Sequence, residues 1–234
     1  MSRLRPPPFL AGALEGLTPF EVARLAAALP RLSRAPRGEG RPVLVFPGYG
    51  ADDASTLPLR GYLRAIGHDA RGWGLGSNVG DVPAMFERAT VAVRELVAQL
   101  AEPISLVGWS LGGYIAREVA REAPEAVRRV VTLGSPIAGG PKYTQLAPLY
   151  RLRGEDVDAI EEEIRARENT PLRVPVTALY SKFDGIVAWQ ACVDGVEAVT
   201  ENVEVRTTHL GFGVSPEVFG IVADRLARPV RSAA

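Results

Sequence analysis

The sequence predicts an α/β fold: a mostly parallel sheet of about six strands, helices on both of its faces, and a small cap insertion. Three observations predict it. From Pro42 onward, short runs rich in β-branched and aromatic residues alternate with stretches of helical periodicity, the pattern of parallel strands joined by crossover helices. One apolar run, Leu106-Val107-Gly108-Trp109-Ser110-Leu111-Gly112-Gly113, ends in G-x-S-x-G and passes directly into a helix-forming segment. The chain has 234 residues, 47% of them hydrophobic, enough to bury a full core. The order of these segments divides the chain into an N-terminal extension with one helix over 1–41 and a main domain over 42–234, with the cap at about 138–172.

Residues 1 to about 16 are expected to be extended, because Pro6-Pro7-Pro8 resists helix formation. Those prolines and Glu15 also interrupt any apolar run long enough for a secretory signal. Thr18-Pro19-Phe20-Glu21 supplies an N-cap, a proline at the first helical position and a capping-box glutamate, so a helix should run to about Leu29. Its stripe of Phe20, Val22, Leu25, Ala26 and Leu29 is read as packing on its own domain rather than on a membrane surface. The Arg/Gly/Pro-rich stretch from Arg31 to Arg41 reads as a linker.

The strands are expected at Val43-Phe46, Asp69-Trp73, Ile104-Trp109, Val130-Leu133, Val176-Tyr180 and Val203-Thr207. Between the second and third, Phe86, Ala89, Val93, Leu96, Val97 and Leu100 recur at helical spacing. A helix from Leu111 to about Glu122 follows Ser110, and the last helix begins at Ser215-Pro216-Glu217. The cap holds Tyr143, Leu146, Leu149 and Tyr150, then a charged helix from Glu155 to about Arg167 with Val157, Ile160 and Ile164 on one face.

A sheet of this kind places its ligand at the carboxyl ends of the strands, and the reactive residues fall there. Ser110 sits where a tight strand-to-helix turn would lift its hydroxyl, a conformation tolerated only beside small residues such as Gly108 and Gly112. A hydroxyl nucleophile needs a base, and the base needs an orienting group. Of the two histidines, His209 follows the last predicted strand, whereas His68 precedes a strand and would lie at the wrong edge of the sheet. Asp184, in Ser181-Lys182-Phe183-Asp184-Gly185, follows the preceding strand and is the candidate acid. Asp194 falls in a stretch read as helical, Trp189 to Val199, and its replacement by asparagine should be nearly silent in turnover. Phe46-Pro47-Gly48-Tyr49-Gly50 ends the first core strand in a glycine-flanked turn, so the amides of Tyr49 and Leu111 are the candidate oxyanion hole. Neither G-x-x-x-x-G-K-S/T nor G-x-G-x-x-G follows that turn.

On these motifs the chain resembles the α/β-hydrolase superfamily, over about Pro42 to Arg228. It is most similar to lipase-like and esterase-like serine hydrolases, through Phe46-Pro47-Gly48-Tyr49, Gly108-Trp109-Ser110-Leu111-Gly112, Ser181 to Val187 and Thr208-His209-Leu210-Gly211. The resemblance implies an α/β-hydrolase fold with a triad of Ser110, Asp184 and His209 and oxyanion amides at Tyr49 and Leu111. It also implies a sheet trimmed to six strands, since little sequence precedes Val43, and an altered oxyanion loop, since Pro47 replaces the common histidine. A serine at the nucleophile position excludes the haloalkane dehalogenase and epoxide hydrolase chemistry of related enzymes, which needs a carboxylate there.

Aromatic and aliphatic residues crowd the predicted strand-end loops. Trp73, Trp109, Ile137, Ile186, Val187 and Phe212 are the candidate substrate-binding residues, joined by Leu75 and Trp189. The expected substrate is a small-molecule ester with an apolar acyl or alcohol part, cleaved through an acyl-enzyme. A thioesterase, amidase or acyltransferase would use the same residues, and a non-catalytic binding protein would have lost one of them. Lys plus Arg balance Asp plus Glu at 27 each, which argues against nucleic acid as the main partner. No apolar run reaches transmembrane length, so no integral membrane association is expected. No metal or other cofactor is expected, because two separated histidines and one cysteine cannot furnish a zinc set. Cys192 reads as a small buried hydrophobe and, as the only cysteine, points to a cytoplasmic location. The oligomeric state is left open.

Overall fold

The computed structural model describes residues 4–229. Its sheet has six strands in the order β2-β1-β3-β4-β5-β6: β1 (Pro42–Phe46), β2 (Asp69–Gly72), β3 (Ile104–Trp109), β4 (Val127–Leu133), β5 (Val176–Tyr180) and β6 (Thr200–Glu204). Every pairing is parallel. The chain builds outward from β1 to β2, then crosses back to start β3 on the other side of β1. Crevices open at such reversals of strand order. The register Phe46↔Gly108 and Trp109↔Leu133 brings three loops together beside Ser110.

Alternation along the strands separates two cores. Leu44, Phe46, Leu106 and Val130 face α3 (Val82–Leu100) and α4 (Leu111–Glu122), while Val43, Val45, Val107 and Val131 face α2 (Leu57–Ala65) and α7 (Pro216–Ala227). Because both faces are covered, the central strands are mostly apolar, wholly so in Pro-Val-Leu-Val-Phe of β1. Cys192 is 1% exposed, and burial pushes its thiol well above the ordinary range.

Four elements depart from the sequence expectations. Residues 9–17 form a 3-10 helix, Phe9–Leu17, rather than an extended arm; residues 1–3 lie outside the described residues. This helix runs without a break into α1 (Thr18–Leu32), so Leu17 takes the N-cap position and Thr18 is already helical. The Thr18 hydroxyl donates back to the Glu15 carbonyl at 2.7 Å, and Glu21 pairs with Arg24 at 2.9 Å instead of closing a capping box. The inward face of α1 is Glu21, Leu25, Ala28 and Leu32; Phe20, Val22, Ala26 and Leu29 point outward. Burial of Leu32 against the α7 side carries the helix past Pro30 to its end.

The last strand lies three residues earlier than expected, at Thr200–Glu204. It is an edge strand with polar, largely exposed side chains, so the apolar alternation from which a strand is read is absent. Its position is set by backbone pairing to β5, from Val176↔Thr200 to Tyr180↔Glu204. The stretch Trp189 to Val199 holds only a short 3-10 turn, Trp189–Cys192. No described helix is long and apolar enough to cross a membrane.

Candidate active site

Ser110 stands between β3 and α4 with φ 53° and ψ −125°, a sparsely populated conformation for a residue with a side chain, costing about 1–3 kcal/mol. Close packing holds it there. A Cβ on Gly108 would run into the backbone of Gly113, and one on Gly112 would run into the Pro47 carbonyl, which is why both positions are glycine. The Ser110 amide donates to the Leu133 carbonyl at 2.8 Å. Its hydroxyl caps no helix amide and faces a cavity of about 720 Å³.

The structure brings Asp184 and His209 together. The imidazole Nδ1 lies 2.7 Å from Asp184 Oδ2, and both side chains are buried. The other carboxylate oxygen accepts from the Ile186 and Val187 amides at 2.9 and 2.7 Å, so the carboxylate is fixed from its own loop. Ser181 ties the two loops together by donating to the Thr207 carbonyl at 2.5 Å. The Trp109 indole donates to the His209 carbonyl at 3.1 Å, which places the histidine beside the serine turn. Burial disfavours a charged imidazole, but the Asp184 carboxylate, its hydrogen bond and the charge of Glu15 together raise the His209 pKa above its ordinary value. His68 lies before β2, buried among residues of the opposite sheet edge, and burial lowers its pKa.

The Tyr49 loop is braced from within. The Gly50 amide donates to the Asn78 carbonyl at 2.7 Å, and buried Asn78 donates through Nδ2 to the Pro47 carbonyl at 3.0 Å. Leu111 opens α4, where helix amides have no partner within the helix. Tyr49 and Leu111 both line the cavity next to Ser110.

The far wall of the cavity comes from α3 and from the insertion after β4, through Phe86, Leu146, Tyr150, Ile160 and Ile164. That insertion folds as α5 (Ala147–Leu152) and α6 (Val157–Arg167). Val157 and Ile164 are buried, docking α6 onto the domain. Arg153, between α5 and α6, donates to the Tyr49 hydroxyl at 2.8 Å and joins this roof to the Tyr49 loop.

Of the candidate substrate-binding residues, Ile186 and Val187 line the cavity, and the other four do not. Trp73 packs on Phe46 at 6.0 Å between ring centres and donates to the Gly76 carbonyl, held in the core by Asp53, whose carboxylate accepts its amide. Ile137 is buried at the end of β4's loop. Trp109 and Phe212 frame the imidazole, with ring centres 6.1 and 6.4 Å from it. Leu75 and Trp189 also lie outside the lining. Residue type and strand-end placement marked these side chains, but neither tells the inner face of a loop from the outer.

Asp194 lies outside any helix and in a buried ion-pair network. It pairs with Arg117 at 2.9 Å, and it accepts from the Val196 and Glu197 amides and the Thr200 hydroxyl. Burial opposes its ionisation, yet these bonds and Arg117 hold its carboxyl below the usual range. Removing one partner of a buried pair costs about 3–5 kcal/mol. Asp194→Asn should therefore destabilise the fold by about 3 kcal/mol, the low end, because Glu118 and Glu197 still face Arg117. Urea unfolding measures this, and a loss below about 0.5 kcal/mol, the range of ordinary surface changes, would contradict it.

The alpha/beta hydrolase family matches residues 43–234, and the chain belongs to it. Among curated relatives, the pimeloyl-[acyl-carrier protein] methyl ester esterase of Aliivibrio salmonicida (strain LFI1238) is 32% identical over 102 residues, 42% of this chain and 37% of that protein. The match thus spans well under half of that relative's length. The mitochondrial palmitoyl-protein thioesterase ABHD10 of Bos taurus is 24% identical over 195 residues, 70% of this chain and 63% of that one. The mature form of Bacillus licheniformis lipase BlEst2 shares the fold, with a TM-score of 0.62 at 15% identity over 82% of this chain and 94% of that one.

Proposed function

We propose that this chain is a serine carboxylic-ester hydrolase working through an acyl-enzyme on substrates with an apolar acyl part. One observation carries the proposal above the others: a strained serine faces a largely apolar cavity, while a buried aspartate–histidine pair of 2.7 Å is tied by Trp109 to the same turn. In the proposed reaction, Ser110 Oγ attacks the carbonyl carbon as its proton passes to His209 Nε2. The amides of Tyr49 and Leu111 hold the negative oxygen of the tetrahedral intermediate. Collapse breaks the bond to the leaving alcohol, which takes the proton from His209, and water repeats the sequence to release the acid. Asp184 keeps the imidazole oriented and stabilises its charged form.

A cavity of about 720 Å³ falls within the range of small-molecule sites, and a docked roof suits short to medium acyl chains in solution. A thioester is the second reading. It is favoured by the bovine thioesterase, whose similarity covers 70% of this chain. Nitrophenyl esters and acyl thioesters of increasing chain length, compared by kcat/KM, test both. No hydrolysis of either series, with no fluorophosphonate adduct on Ser110, would reject the proposal.

The acid limb of kcat/KM should follow His209, which must be neutral to accept the serine proton. Because its pKa is raised, the imidazole stays protonated to higher pH than a free one. Activity should therefore be lost on acidification at a pH above the ordinary imidazole value of about 6.5. His68→Gln should leave that limb in place. A limb that moves with His68 would refute the assignment.

A further inference from the structure

We infer that Glu15 is a positioning residue that clamps the Asp184 and His209 loops together through its carboxylate, an inference that rests on the proposed roles of those two residues. Glu15 lies in the 3-10 helix Phe9–Leu17, outside the residues that match the family. One of its oxygens accepts from the Gly185 amide and from the His209 amide, both at 3.0 Å. The other accepts from the Leu210 amide at 2.7 Å. The bonded amides therefore belong to the residue after the acid, to the base itself and to the residue after the base.

The surroundings are shaped for this approach. A Cβ on Gly185 would run into the Ala11 carbonyl, so glycine there lets the 3-10 helix lie against the acid loop. Gln145 ties the start of the helix to the insertion by donating to the Pro8 carbonyl at 3.2 Å, and the Thr18 hydroxyl donates to the Glu15 carbonyl at 2.7 Å where the helix passes into α1. Amide bonds to a carboxylate are charge-assisted and shorter than neutral ones. The clamp holds two separate loops in mutual register, and small displacements of reacting groups are costly, about a hundredfold in rate for 1 Å.

The charge adds a second effect. A carboxylate bonded to the His209 backbone favours the imidazolium that forms when His209 takes the serine proton, and it contributes to the raised affinity of His209 for protons. A purely structural brace would lack this effect. Glutamine at position 15 keeps the shape and one amide-accepting oxygen but removes the charge.

The test uses the full chain and its Glu15→Ala and Glu15→Gln variants. Glu15→Ala should lower kcat on a short nitrophenyl ester by about 10- to 100-fold with KM changed less than about twofold. Glu15→Gln should move the acid limb of kcat/KM, and the His209 titration followed by NMR of the imidazole, to lower pH. His68 is the only other histidine, so a His68→Gln background assigns the signal. Unchanged kcat in Glu15→Ala together with an unmoved His209 titration in Glu15→Gln would overturn the inference. Should Glu15→Ala fail to fold, the Glu15→Gln titration decides alone. The NMR readout needs no substrate. A wild-type chain without hydrolysis or Ser110 labelling would sink the proposed function, while the titration would still report on Glu15.

Discussion

Ser110→Ala is expected to lower ester turnover about a million-fold, since the members of the proposed triad should act as a unit and loss of its proposed nucleophile would remove the covalent route altogether. The fold should tolerate the change. The strain at φ 53° belongs to any residue with a Cβ, and the serine hydroxyl caps no helix amide, so alanine sacrifices no described helix cap. Steady-state rates on a nitrophenyl ester, with melting temperature as the control, measure the effect. Residual turnover above about one per cent in a folded variant would show that another group attacks, and a fluorophosphonate adduct on a different serine would identify it.

Asp184→Asn should cost about ten-thousand-fold in turnover through loss of imidazole orientation. An asparagine can still accept the Ile186 and Val187 amides that Asp184 Oδ1 now accepts, so the loop should keep its shape. What changes is the partner of His209 Nδ1: the negative oxygen at 2.7 Å is gone, and with it the favoured tautomer and the support for a charged ring. The acid limb should also fall in pH, because Asp184 does more than Glu15 to raise His209 against the effect of burial. Circular dichroism and the pH profile of kcat/KM check both parts. A loss below tenfold in a folded variant would leave the acid role without support.

The parts of the molecule legible in the sequence were those that repeat a local rule. The strands β1, β3 and β5 and the Val130–Leu133 part of β4 are mostly apolar runs covered on both faces, and the turn at Ser110 carries its steric requirement in Gly108 and Gly112. Asp184 and His209 could be named because each follows a strand, and the structure places them 2.7 Å apart. β6 was misplaced because an edge strand buries little and so carries little pattern. Glu15, Asn78 and Arg117 escaped notice for a different reason. Each acts through contacts with residues far along the chain, as Glu15 does with Leu210, and no local spacing marks such a pairing. Trp73 and Phe212 show the converse, since their size suggested a binding wall while their surroundings make them core.

The polar character of β6 also bears on how copies of the molecule meet. The free edge of a sheet presents unpaired backbone amides and carbonyls that can recruit another chain. Here that edge carries Glu201 and Glu204, held by Arg225 at 2.7 Å and Lys182 at 2.8 Å. At the opposite edge, β2 is only four residues long and carries Asp69 and Arg71. A second copy approaching edge to edge would have to break those ion pairs and set glutamate against glutamate. The same charges that hide β6 from pattern reading thus guard the sheet against growing from one molecule into the next, and neutralising Glu201 and Glu204 together should make the protein more prone to aggregate on heating.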